Sequence, residues 1–241
     1  MAPLTSGVKK ILICTFIVWF VLQIILGRFF EIPIWKFLAL TPEGVLERFQ
    51  IWQIFTYQFL HALSPTHIIF NMLMVWFVGA ELESRWGEKY FLTYYLLSGA
   101  GAALIYSIGV AIYAVLTGYR PVLMTPVLGA SGALFGLLLA YGILFSDRVI
   151  YFMGFFPLKA KHFVILAGAM DLLAMMGSGL AGSDVAYLAH LGGIVSGFAI
   201  LRFTAYLKSR NTTKSKKKSA NLRLVVDNEK KNDPDKPKYW N

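Results

Sequence analysis

The stretch MTPVLGASGALFGLLLAYGILF, residues 124–145, runs for 22 positions without a charged side chain. As a helix rising 1.5 Å per residue it is about 33 Å long, enough to cross a hydrocarbon core of roughly 30 Å. Five further apolar stretches flank it: residues 11–27, 66–80, 90–117, 163–180 and 185–201. Stretch 66–80 is short for a span, which needs about 17–25 residues. Residues 149–157 are apolar too, but Pro157 and the short length mark an interfacial segment. Of the 241 residues 57% are apolar and only 15% charged, against about 25% charged in a soluble domain. That composition excludes a water-soluble globule. The expectation is an all-α membrane protein, a bundle of six transmembrane helices.

The net charge of +10 could suggest a nucleic-acid binder until the charges are located. Residues 1–201 hold 11 basic and 9 acidic side chains, a net of +2, and residues 202–241 hold 12 and 4, a net of +8. The basic balance is therefore mostly a tail, and no nucleic-acid partner is expected. The run Lys214-Ser215-Lys216-Lys217-Lys218 can touch anionic lipid at about 1 kcal/mol per basic residue near the surface. With both termini in the cytoplasm, Lys9, Lys10, Arg85, Lys89, Arg148, Lys159, Lys161 and the tail lie inside. Only Arg28, Lys36, Arg48 and Arg120 then lie outside, the expected bias. The organisation reads as a cytoplasmic N-terminus (1–10), a six-span membrane domain (11–207) and a basic polar cytoplasmic tail of disordered composition (208–241). Within the domain, loop 28–64 is read as embedded in the interface. It carries Phe29, Phe30, Trp35, Phe37, Trp52, Phe55 and Tyr57, and Trp and Tyr favour the headgroup layer. Cys14, the one cysteine, excludes an internal disulfide. The first apolar run shows no clean cleavage site and reads as a retained span.

Polar groups inside a span are costly, so each is a candidate for function. Five stand out: His67, Asn71, Ser131, Asp171 and His190. His67 and Asn71 are four apart, on one helix face, and could equally be an interhelical hydrogen-bonding pair. Ser131, in Gly129-Ala130-Ser131-Gly132, could simply cap a helix. His190 precedes Gly193 and Gly197, a small-xxx-small face that admits a close neighbour, and Gly132 and Gly136 form a similar face. With the N-terminus inside, His67, Ser131 and His190 all fall in the outer part of the bilayer on the same side. A serine needs a base to become nucleophilic, and histidine is the usual one. His67, Asn71 and the Ser131 amide at a helix start could donate to a developing oxyanion.

Together these residues resemble the rhomboid family of intramembrane serine proteases. The resemblance covers roughly residues 8–205. It rests on His67-Ile-Ile-Phe-Asn71, Gly129-Ala130-Ser131-Gly132, Ala189-His190-Leu191-Gly192-Gly193 and Glu83-Ser84-Arg85. It implies a Ser131 nucleophile, a His190 general base, an oxyanion hole of His67, Asn71 and the Ser131 amide, and no metal or cofactor. It implies structural roles for Gly129, Gly132, Gly193, Gly197 and Phe135, and for Glu83 and Arg85 as an ion pair near the membrane face. Substrates would be single-span or multi-span membrane proteins cut near the outer end of a span, entering past the fifth helix. Six spans resemble the simpler bacterial form, hence a bacterial plasma membrane. Two departures are Gln53, where many rhomboids follow Trp52 with arginine, and Phe135, where many carry tyrosine. Asp184 reads as the cap of the sixth span and Asp171 as a bundle or cavity group. His61 and His162 read as packing or interface residues. Two other readings are a rhomboid-like pseudoprotease that binds membrane proteins without cutting them, and a transporter whose His, Asn and Asp line a proton path.

Overall fold

The computed structural model describes residues 3–152, 155–178 and 186–219. Helix α1, Ser6–Ile17, runs directly into a π-helical segment, Val18–Phe29, giving a first span of 24 residues. Short helices α2 (Ile34–Leu38), α3 (Pro42–Leu46) and α4 (Gln53–Thr56) and a 3-10 turn, Tyr57–Phe59, build the first loop. Then come α5 (Pro65–Trp86), α6 (Glu88–Thr117), α7 (Ser131–Leu144), α8 (Ala160–Ser178) and α9 (Ala186–Ser219). The first span, α5, α6 and residues 186–210 of α9 are long and apolar enough to cross a membrane. The chain groups into one unit over residues 1–202 and another over 203–241, the latter described as helix as far as Ser219.

Two sequence expectations change here. The second span is not short: α5 has 22 residues, starting on Pro65 and stopping at Gly87, whose φ of +81° ends the helix. The fourth span is shorter than its apolar stretch, because α7 begins only at Ser131 and has 14 residues, about 21 Å. Pro126 and Gly129 (φ +126°) break the helix upstream. Irregular backbone at membrane depth is tolerated where it is buried in protein. Here Val127 pairs with Leu40, and the Gly129 N–H donates to the Tyr57 carbonyl at 3.0 Å. Within the stretch read as an interfacial segment, β1 (Val149–Phe152) pairs antiparallel with β2 (Phe156–Lys159). The pair Ile150 and Leu158 shares one register position, and Ile150 packs on the core.

The core fits this frame. Phe91, Tyr94 and Tyr95 of α6 pack with Val75 and Leu82 of α5 and with Leu134 and Leu137 of α7. A second cluster joins Tyr57, Tyr106, Val122 and Val127 beneath the first loop. The loop is internally hydrogen-bonded. Trp52 Nε1 donates to the Phe37 carbonyl at 2.8 Å, and Thr56 Oγ1 to the Leu38 carbonyl at 2.7 Å. Thr41 caps α3 by accepting from Gly44 N–H at 3.0 Å. Outward, loop residues Phe29, Phe30, Trp35, Phe37 and Trp52 and α6 residues Val115 and Leu116 are exposed, as lipid-facing side chains are.

Candidate active site

Ser131 is the first residue of α7, where backbone N–H groups have no helical partner and the helix dipole is positive. His190 lies in the second turn of α9, and its Nε2 stands 2.8 Å from Ser131 Oγ. Phe135, one turn along α7, stacks on the His190 ring at 4.6 Å and 10°. Tyr187 meets the same ring edge-on at 6.3 Å. The imidazole is therefore held on two sides while one nitrogen faces the hydroxyl.

Close helix approach makes that contact possible. A β-carbon added at Gly193 would overlap the Gly132 carbonyl oxygen, and one at Gly197 would come within 2.9 Å of Gly136 Cα. The α7 and α9 backbones thus touch on their glycine faces. Ser196 of α9 donates to the Ser98 carbonyl of α6 at 2.8 Å, tying a third helix to the seam.

His67 stands in the first turn of α5. Its Nδ1 accepts from the Ala62 N–H at 3.1 Å. A β-carbon on Gly129 would lie 3.5 Å from His67 Nε2 and 3.7 Å from Ser131 Oγ, so both atoms border one small space. Asn71 is buried on the next turn, and its Nδ2 donates to the His67 carbonyl at 2.9 Å. One amide hydrogen is thereby used within α5 and the other is left over.

A family model described as the Rhomboid domain matches residues 48–207, two thirds of the chain. The chain belongs to the rhomboid family. It is 32% identical over 168 residues to RHOMBOID-like protein 1 of Arabidopsis thaliana, covering 67% of this chain and 36% of that protein. It is 28% identical over 149 residues to Rhomboid protease GluP of Bacillus subtilis, covering 61% and 25%. It is 26% identical over 218 residues to Rhomboid protease GlpG of Yersinia pseudotuberculosis, covering 88% and 65%. The chain thus spans about a third or less of the Arabidopsis and Bacillus proteins. Its family and its apolar helices make it an integral membrane protein.

In this rhomboid Glu83 and Arg85 do not form an ion pair. Residues two apart on a helix point to different faces. Glu83 instead accepts from Thr5 Oγ1, from the Gly7 N–H at 2.8 Å and from the Val8 N–H at 2.9 Å, so a buried carboxylate caps the start of α1. The Arg85 guanidinium lies over the Phe145 ring at 5.7 Å. Gln53 is fully buried, accepts from the Thr41 N–H at 3.0 Å and donates to Gln50 Oε1 at 2.7 Å. A neutral amide thus holds the loop where many rhomboids carry a cation. The side chain of Asp171, and Asp184 altogether, fall outside the described residues.

The sequence marks His61 only as a packing or interface residue and gives Gln23 and Trp19 no role. His61 is fully buried, its ring 5.2 Å from His67 and its Nε2 3.5 Å from the Ala130 N–H. Burial above all, then the charge of neighbouring His67, pushes its pKa down to about 4 against an opposing backbone hydrogen bond at Phe59. Gln23 and Trp19 reach from the first span to the backbone of residues 61 and 62. The available signal was Gln23 itself, a polar residue in the middle of an apolar stretch.

Proposed function

We propose that this rhomboid is an intramembrane serine endopeptidase that cuts membrane-protein substrates near the outer end of a span with a Ser131–His190 dyad. The observation that carries the reading is the 2.8 Å approach of His190 Nε2 to Ser131 Oγ, with the ring fixed on Phe135. As Oγ attacks the scissile carbonyl, Nε2 takes its proton. The carbonyl oxygen becomes an anion beside the Ser131 N–H, the His67 Nε2–H and the spare Asn71 amide hydrogen. Each such donor contributes typically about 2.7–4 kcal/mol in the transition state. His190 then protonates the leaving amine, and a water activated by the same ring hydrolyses the acyl-enzyme. The histidine cycles between two charge states, and no third catalytic acid is invoked.

Substrates enter sideways from lipid past α8, whose Ile165, Leu173 and Met176 are exposed. The host is a bacterial plasma membrane with both termini in the cytoplasm. The basic tail adds contact with anionic lipid.

The test is cleavage of a single-span substrate in proteoliposomes by the wild type, Ser131→Ala and His190→Ala. Each variant should lose at least about 10³-fold in kcat. Equal cleavage by all three would overturn the assignment.

A further inference from the structure

Gln23 and Trp19 lie four residues apart in the first span and face the same short backbone segment. Gln23 Nε2 donates to the His61 carbonyl at 2.7 Å, and the His61 N–H donates to Gln23 Oε1 at 2.8 Å. A primary amide thus pairs with one residue's N–H and carbonyl as a neighbouring strand would. Trp19 Nε1 adds a third bond, to the Ala62 carbonyl at 3.1 Å. The next group along is the Ala62 N–H, which donates to His67 Nδ1.

An imidazole nitrogen that accepts a hydrogen bond carries no proton, so the other nitrogen of the neutral ring must carry it. The Ala62 N–H therefore selects the tautomer with hydrogen on Nε2, the nitrogen that borders the space beside Ser131 Oγ. Were Nδ1 protonated instead, two N–H groups would face each other and Nε2 would present a lone pair to the developing oxyanion. The direction of the Ala62 N–H is fixed by the backbone on either side of it, and that backbone is held from the first span. The segment carrying the clamp is π-helical, a geometry frequent at functional sites.

We propose that Gln23 and Trp19 are positioning residues that set the tautomer of His67, turning the first span into a support for the oxyanion hole. The inference rests on the serine-protease reading for its catalytic consequence, but the tautomer itself can be read without any cleavage. The experiment uses the full chain in nanodiscs. Nitrogen-15 NMR assigns the protonated nitrogen of His67, and steady-state kinetics follow a single-span substrate. The wild type should show hydrogen on Nε2 of His67. Gln23→Leu should show a mixture of tautomers, with kcat down about 10- to 100-fold and KM unchanged within about twofold, less than the 10²–10³ for removing a donor outright. In the His67→Ala background Gln23→Leu should cost no further rate, because both act through one group.

Trp19→Phe keeps an aromatic ring at the site while removing the indole donor with its five-membered ring, and should move the same readouts less. It serves if Gln23→Leu does not fold, as judged by its melting midpoint. A wild-type His67 protonated on Nδ1, an unchanged tautomer in folded Gln23→Leu, or losses that multiply in the double variant would overturn the proposal. If Ser131→Ala cleaves like the wild type, the protease reading falls while the NMR result still decides the clamp.

Discussion

His190 and Ser131 are 59 positions apart in the chain, yet one hydrogen bond joins them. Phe135 stacks flat on the His190 ring that makes that bond, a contact that needs no tyrosine hydroxyl. Phe135→Ala should lower kcat about 3- to 10-fold, the worth of one aromatic pair, while Phe135→Tyr should leave kinetics nearly unchanged. Gly129, at φ +126°, is conformationally demanding. Gly129→Ala should destabilise the protein by about 1–3 kcal/mol and slow acylation, read by thermal unfolding and inhibitor labelling. His61 carries a pH dependence. Its folded pKa of about 4 lies below the unfolded value of about 6.5. Between these values the unfolded chain binds a proton that the folded protein refuses, so stability rises with pH. The contribution is complete above about pH 6.5 and is lost as pH falls to about 4, on the order of 3 kcal/mol. Melting midpoints should fall over that window in the wild type and be flatter in His61→Phe.

At the scale of elements, the glycine seam between α7 and α9 is what lets two side chains of modest length meet. Gly193→Ala places a methyl against the Gly132 carbonyl. It should cost about 1–3 kcal/mol by overpacking and abolish Ser131 labelling by parting the dyad. The α1–α5 contact behaves differently. Glu83→Gln leaves N–H groups of α1 poorly satisfied and should cost about 1–3 kcal/mol. Arg85→Gln removes one cation–ring contact and should cost about 1 kcal/mol or less, a contrast that chemical denaturation in micelles resolves. These elements also show what sequence can and cannot reveal. The apolar stretches located most spans, because hydropathy records where lipid replaces water. The small-xxx-small pattern pointed to the α7–α9 approach, because a missing side chain has a direct steric consequence. The start of α7 was not legible. Hydropathy does not distinguish helix from irregular backbone that protein, rather than lipid, covers. The partner of Glu83 was hidden too, since a motif of adjacent residues says nothing about an N-terminus 76 positions away. Gln23 was overlooked beside the ionisable groups, although its amide is a polar group in the same setting.

Across the whole molecule, charge is sparse in residues 1–201, and half-buried His67, Ser131 and His190 come together with buried Asn71 and His61 around one place. Its parts come from three well-separated regions, the start of α5, the start of α7 and α9, with the first span bracing the loop that feeds them. Removing residues 211–241, which carry none of the site residues, should leave kcat within about twofold while lowering the protein's preference for anionic over neutral lipid in proportion to the lysines removed. The measurement that goes most directly to the central claim is intact-mass and peptide mapping of the protein in nanodiscs after treatment with a fluorophosphonate. One adduct on Ser131, absent in Ser131→Ala and at least about 10³-fold slower to form in His190→Ala, is the expected result. A wild-type protein that cleaves a membrane substrate yet carries no adduct on Ser131, or labels equally fast without His190, would contradict it.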